Sequence, residues 1–139
     1  MALARIEQPF TGGWMSVART GWHAVFVDDD LGPGLISLHE ISRRERRVQR
    51  RAFPTGRVVW DFDVGSEVTG LDADSGFLHV VTARRELITL NAQDGTVIQR
   101  KHIVFGHPPY TPLCVTVAPN GDVLVGTAEG RILVLPPQE

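Results

Sequence analysis

Histidine and aspartate side chains are the groups in this chain that could serve catalysis or bind a metal ion. The five histidines are His23, His39, His79, His102 and His107. No two of them stand in the H-x-H or i, i+4 spacing that brings two imidazoles onto one metal ion. His23 and His79 fall at nearly equivalent places in two similar strand-like segments, as features of a repeat would. We therefore expect structural or surface histidines and no metal site.

The acidic residues form no recognised catalytic or metal-binding pattern either. Asp28-Asp29-Asp30 offers oxygens to a cation such as Ca²⁺, but the chain lacks the EF-hand ligand pattern, so a solvated turn is the favoured interpretation. The other candidates on polar strand faces or in turns are Asp61, Asp63, Asp72 and Asp74. No spacing pairs them for acid–base work. Nucleophile elbows, phosphate-binding glycine loops and dinucleotide fingerprints are absent from the sequence. We predict no catalytic residue and no cofactor.

An arginine-rich run is the one segment whose composition suggests a strongly charged, exposed surface. It contains Arg43, Arg44, Arg46, Arg47, Arg50 and Arg51, and its only apolar residue is Val48. Because such a segment buries little apolar surface, we predict a solvated, extended hairpin tip or loop inserted at residues 42–55, mobile and dispensable for folding. Arginine binds carboxylate or phosphate in a bidentate manner, so these six residues are the candidates for docking an acidic partner. A plain solubilising loop is the favoured alternative.

Composition limits the class of protein. The 139 residues, 42% of them hydrophobic, suit a single domain at 1–139. The net charge of −2 gives no field that favours nucleic acid or an anionic membrane. Cys114 is the only cysteine; it excludes an internal disulfide, and its apolar neighbours predict a small buried side chain. A signal peptide and a spanning apolar run are both lacking, so we expect a cytoplasmic location.

Short strands separated by turns recur about every ten residues, which is typical of an all-β fold. The predicted strands span residues 4–10, 14–19, 22–27, 35–41, 58–64, 68–73, 77–82, 86–91, 96–104, 113–118, 123–127 and 131–135. Asn120-Gly121 predicts a tight hairpin turn, since these residue types accept positive φ angles. No segment shows a convincing helical period.

Three parts of the chain resemble one another. Leu35-Ile-Ser-Leu38 recurs as Leu87-Ile-Thr-Leu90 and Ile132-Leu-Val-Leu135, and similar strands precede each copy. If the arginine-rich insert is removed, the repeat length becomes about 42 residues, and four strands in such a period indicate a propeller blade.

The turns carry a resemblance to a known superfamily. Thr55-Gly-Arg-Val-Val-Trp60 and Leu90-Asn-Ala-Gln-Asp-Gly95-Thr-Val-Ile98 resemble the strand-to-strand turn of pyrroloquinoline-quinone-type and WD40-like β-propellers. That resemblance implies blades in which a leucine-rich third strand, an Asp/Gly turn and a fourth strand ending in a docking tryptophan recur. Trp60 keeps this residue, whereas Gln99 stands at the matching place in the following repeat. The resemblance covers most of residues 56–135.

The blade count predicts an incomplete ring. The blades would be 14–64 (with the insert 42–55), 68–104 and 113–135; the last lacks its outer strand, which strand 4–10 would supply. Propellers typically need four to eight blades, so this half propeller would expose apolar flanks that mark association sites. We expect two copies to form a six-bladed homodimeric ring, or another propeller half to complete it. A small β-sandwich or barrel is the alternative fold.

Two functional hypotheses follow, and fold alone does not decide between them. The first is a non-catalytic scaffold for protein–protein interaction. The second is an enzyme or small-ligand-binding propeller that uses the central channel. A channel enzyme requires several titratable groups from successive blades to converge at the channel mouth, whereas a scaffold does not.

Overall fold

A computed structural model of the chain describes residues 23–136, except 41, 43–44 and 75. It contains eleven β-strands in this part of the chain. They are β1 (Ala24–Asp29), β2 (Gly32–Glu40), β3 (Arg46–Ala52), β4 (Val58–Asp63), β5 (Val68–Asp74), β6 (Phe77–Thr82), β7 (Glu86–Asn91), β8 (Val97–His102), β9 (Pro112–Val117), β10 (Val123–Thr127) and β11 (Ile132–Leu135). None of the described segments forms a helix long and apolar enough to cross a bilayer.

The strands form three antiparallel sheets, each a simple meander. The first sheet has the order β1-β2-β3-β4, the second β5-β6-β7-β8, and the third β9-β10-β11. The all-β prediction is confirmed, and so is the prediction that the third sheet has three strands in the described part of the chain. The predicted strands at 4–10 and 14–19 lie outside the described residues.

The chain divides into two compact units. The first unit holds the first sheet together with the turn Gln93–Gly95, and the second unit holds the rest of the second sheet and the third sheet. In the second unit, alternate side chains of the two sheets meet in a buried apolar cluster. This cluster contains Val81, Leu87, Ile103, Val115, Val123 and Val125, with Leu133 and Leu135 packed against it.

The prediction that the arginine-rich run is a solvated loop between two strands is wrong, whereas its dispensability for folding stays a prediction. The run forms β3, a central strand that pairs with β2 on one side and with β4 on the other. Val48, Gln49, Arg50 and Arg51 are all buried. Polar side chains can occupy a central strand when each charge finds a partner inside the sheet, and the arginines of β3 do so.

This strand also corrects the predicted alignment of the repeats. Trp60 in β4 pairs with Arg50 in β3, as Gln99 in β8 pairs with Thr89 in β7. Arg50 is therefore the counterpart of Thr89. The phrase Leu35-Ile-Ser-Leu38 lies in β2, the second strand of the first sheet, whereas Leu87–Leu90 lies in β7, the third strand of the second sheet. The two phrases are similar in sequence but do not occupy equivalent strands of their sheets. No insert needs to be removed to obtain the repeat.

Trp60 has the packing expected of a docking tryptophan. Its side chain is buried, with 7% of the residue exposed. A Cβ atom placed on Gly95 would lie 2.7 Å from Cδ2 of the Trp60 ring, and Gly95 has a φ angle of +77°. Glycine is thus required at residue 95 both by the backbone conformation and by the closeness of the ring. This contact lies within the first unit.

The Asn120-Gly121 turn also forms as predicted. The Gly121 N–H donates to the Ala118 carbonyl at 2.9 Å, and Gly121 has a φ angle of 92°. The Asn120 side chain supports the turn, because its Oδ1 accepts a hydrogen bond from the Asp122 N–H at 3.0 Å. The turn joins β9 to β10 in the register needed to place Val115 and Val125 on one face.

Candidate functional site

One face of β3 holds a buried ion pair. Arg50, only 1% exposed, donates from Nη1 and Nη2 to the two carboxylate oxygens of Asp29 at 2.7 and 2.8 Å. Its Nη2 also donates to the Gly32 carbonyl at 3.1 Å. A Cβ on Gly34 would lie 2.8 Å from Nε of Arg50, so the glycine makes room for the guanidinium. These hydrogen bonds hold the pKa of Asp29 below its ordinary value.

The opposite face of β3 carries a second arginine cluster. Arg51 donates to the Gly56 carbonyl at 2.9 Å and to Oε1 of Gln49 at 2.8 Å. Burial lowers the pKa of Arg51, and the charge of Asp61 opposes this effect. Arg47 lies nearer the solvent, and its Nε contacts both carboxylate oxygens of Asp61 at 2.9 Å. That hydrogen bond raises the pKa of Arg47.

The six arginines predicted to bind a partner therefore lie in different environments. Arg43 and Arg44 are outside the described residues. Arg50 and Arg51 are buried and form hydrogen bonds inside the first sheet, so neither of these two guanidinium groups is exposed to an acidic partner. Arg46 and Arg47 are partly exposed, and their role in partner binding stays a prediction.

A serine and a histidine on β2 have the geometry of a nucleophile and its base. Oγ of Ser37 lies 2.9 Å from Nε2 of His39, within the range of such pairs. Both residues are nonetheless buried, at 3% and 0% exposure, so a substrate has no route to the hydroxyl. Burial, with the charge of Arg51 adding to it and that of Asp61 opposing it, lowers the pKa of His39 to about 4. Such an imidazole is neutral and weakly basic at neutral pH. The pair serves as a buried hydrogen bond.

The second unit contains a comparable polar cluster around His79. Its Nδ1 lies 3.2 Å from Oγ1 of Thr89, and its Nε2 lies 3.9 Å from Oδ1 of Asp74. Burial lowers the pKa of His79, while Asp74 and then Asp72 oppose the shift. Asp72 accepts a hydrogen bond from the Val117 N–H at 2.8 Å. Asp72 therefore fastens β9, which ends at Val117, to the second sheet.

These clusters do not make a metal site. Across the described ranges, no group of three or more histidine, cysteine, aspartate or glutamate side chains is placed to hold a metal ion. In the acidic turn at Asp28–Asp30, the Asp29 carboxylate already has structural partners. It binds Arg50 and also accepts a hydrogen bond from the Leu31 N–H at 3.0 Å.

An exposed apolar surface lies on the third sheet. We call it the open face; its residues are Cys114, Thr116, Leu124, Gly126, Ile132 and Val134, which the strand register places on one side of the sheet. Ile132 is 72% exposed and Val134 59% exposed. The other side of the same sheet packs into the buried cluster through Val115 and Val125. None of the six is an acidic, basic or histidine residue.

The prediction that Cys114 is buried is wrong. Cys114 is exposed, because alternation along β9 directs it away from the buried cluster that Val115 enters. Its backbone nevertheless lies close to the second sheet, since a Cβ on Gly70 would be 2.9 Å from Cα of Cys114. The run of apolar residues around Cys114 predicted a covered strand, but it could not show that only one face is covered.

Two solved structures are similar to this chain. The crystal structure of BamB from Moraxella catarrhalis matches with a TM-score of 0.60 and 19% identity, over 80% of this chain and 32% of BamB. The crystal structure of the computationally designed Ika4 protein matches with a TM-score of 0.60 and 15% identity, over 81% of this chain and 64% of Ika4. The chain thus spans about a third of BamB and just under two thirds of Ika4. No family model and no curated protein matches the sequence.

These similarities establish the fold at a coarse level. BamB is a β-propeller with pyrroloquinoline-quinone-like repeats, and the three sheets of this chain are consistent with propeller blades. The prediction of a propeller-like all-β fold is confirmed to that extent. The predicted closure into a ring stays a prediction. The residues of the open face were not named by the sequence interpretation, although the blade count, which predicted exposed apolar flanks, was a signal for them.

Proposed function

We propose that this chain is a non-catalytic interaction module of the β-propeller type that assembles with another protein chain through the open face. The exposure of Ile132 and Val134, two large aliphatic residues side by side in space on a regular sheet, carries the proposal. Contiguous apolar surface on a folded protein marks sites of association. A propeller blade normally has a neighbour on each face, so an uncovered face is a place where another sheet fits.

The polar clusters support an interaction role over a catalytic one. The hydroxyl–imidazole pair of Ser37 and His39 is closed to solvent, and His79 is likewise buried. Arg50 and Asp29 satisfy each other inside the sheet. In each case the polar atoms are used to hold strands together, which is what a scaffold requires of them.

A binding comparison between two matched variants tests this proposal. Ile132→Asp alters the open face, whereas Val104→Asp alters a residue outside it with the same 72% exposure. A charge placed in the centre of an apolar interface weakens binding strongly, so a partner retained by the wild-type chain and by Val104→Asp is expected to be lost from Ile132→Asp. The test applies equally to a partner that is a second copy of the chain and to a partner that is another protein. Equal retention by all three chains would show that the open face is not the binding surface.

A further inference from the structure

The open face has a counterpart within the molecule that is already covered. The repeated phrases match Ile132 with Leu87 and Val134 with Thr89. Leu87 and Thr89 lie on the face of the second sheet against which the third sheet packs, and they are 3% and 2% exposed. Ile132 and Val134 are 72% and 59% exposed. The third sheet therefore presents a face of the kind that receives another sheet, without that sheet in the described part of the chain.

The first sheet of a second copy is a poor occupant for this face. The third sheet packs on the second through a face that includes Leu133. Leu133 corresponds to Ile88 by the repeated phrase, and Ile88 corresponds to Gln49 by strand register. A head-to-tail ring would thus press the side of the first sheet that carries Gln49 and Arg51 onto the open face.

That side of the first sheet is unsuitable in two respects. Ser37, Gln49 and Arg51 are already buried within one chain, at 3%, 7% and 2% exposure, so they have no free surface to offer. They are also polar, and the open face holds no carboxylate. Arg51 already donates to the Gly56 carbonyl and to Oε1 of Gln49 within the first sheet, so its guanidinium gains no partner from a face without charged groups.

The open face is, by contrast, compatible with itself. Its six residues are uncharged, so two copies brought together through this face bury no unpaired charge. A two-fold axis makes the same patch contact itself, and such isologous dimers are the commonest homo-oligomers. Sheets stack face to face when their side chains interdigitate, as the second and third sheets do through their own buried cluster.

We infer that the partner of the open face is a second copy of this chain, joined by an isologous two-fold contact of open face on open face. This inference rests on the proposed function, because it names the partner of the same surface. It replaces the head-to-tail ring by a back-to-back pair of third sheets. Val134 and Ile132 lie at the contact, and each copy contributes both.

A charge-exchange experiment on the full chain tests this arrangement. Sedimentation equilibrium or light scattering gives the mass of the wild-type chain, which we expect to be a dimer. Val134→Asp and Val134→Lys each place like charges near one another across the two-fold axis, and such a juxtaposition is unfavourable. We expect dimerisation to weaken by about 100-fold or more in each. An equimolar mixture of the two variants recovers the dimer mass, because aspartate then faces lysine.

Two controls keep the experiment decisive. Val104 is as exposed as Ile132 but lies outside the open face, so the Val104→Asp variant should dimerise like the wild type. Circular dichroism and the urea midpoint report whether each variant folds; if a Val134 variant does not, the same exchange is made at Ile132, which is more exposed.

Three results would overturn the inference. The first is a monomeric wild-type chain, and the second is a dimer that the aspartate variant leaves intact. The third is a dimer that both single variants break and their mixture does not restore, since the open face would then contact a different surface. A wild-type monomer whose other protein partner is still lost on Ile132→Asp would reject the second copy as partner while leaving the proposed function in place.

Discussion

The ion pair between Arg50 and Asp29 makes a quantitative prediction about stability. Asp29→Ala removes the carboxylate that neutralises a guanidinium exposed by only 1%. Breaking a buried pair from one side costs about 3–5 kcal/mol, because the remaining charge stays buried without its counter-ion. Glu45→Ala is the control, because Glu45 pairs at 3.4 Å with Arg47, which lies on the same strand as Arg50. The side chains of Arg47 and Glu45 are 27% and 45% exposed, so this variant should lose only about 0–1 kcal/mol.

Urea denaturation followed by tryptophan fluorescence measures both losses on the same scale. A loss of 3–5 kcal/mol corresponds to a fall in melting temperature of about 10 °C or more for a chain of this length. Replacing both partners, as in Asp29→Leu with Arg50→Met, should recover much of the loss, since no unpaired charge then remains. Equal and small losses for Asp29→Ala and Glu45→Ala would show that β3 does not hold Arg50 inside the sheet.

The remaining predictions concern a buried histidine and a tight turn. The pKa of His39 is about 4 in the folded chain and about 6.5 in the unfolded chain. Between pH 4 and pH 6.5 the imidazole is therefore protonated in the unfolded chain and neutral in the folded chain. The stability from His39 is complete above pH 6.5 and declines by up to about 3 kcal/mol as the pH falls to 4. The urea midpoint measured from pH 7 to 4 should drop less steeply in His39→Gln, and an unchanged slope would contradict this. Gly95 and Gly130 share a φ angle of +77°, but only Gly95 lies against a ring, that of Trp60. Alanine at either residue should cost about 1–2 kcal/mol for the backbone, and Gly95→Ala about 1–3 kcal/mol more for the clash; equal urea midpoints would exclude the packing of Trp60 on the turn.

Local patterns predicted the features that local chemistry determines. Asn120-Gly121 produced its hairpin because Gly121 accepts the positive φ angle of the turn and the Asn120 side chain accepts a hydrogen bond from the Asp122 N–H. Trp60 was singled out by the short phrase that precedes it, and its ring does pack on a turn of a following strand pair. Alternation of apolar residues placed the strands of the second sheet nearly where they lie.

The errors arose where a residue depends on a distant partner. Composition alone made the arginine-rich run a solvated loop, yet Asp29, 21 residues away, satisfies Arg50 within the sheet. Because the run was taken as an insert, β2 was aligned with β7 and the repeat was misplaced by one strand. Cys114 was expected to be buried for a similar reason: whether a strand face is covered depends on a neighbouring sheet, and its flanking residues do not report that.

The most direct test of the open face as an assembly surface is the reactivity of Cys114. It is the only cysteine of the chain, it is exposed in the single chain, and it belongs to the open face. The rate at which a maleimide modifies Cys114 in the native protein can therefore be followed without altering any other thiol. If two chains meet through the open face, the wild-type protein reacts more slowly as its concentration rises, and Val134→Asp reacts fast at every concentration. A wild-type rate that equals that of Val134→Asp throughout would contradict the account.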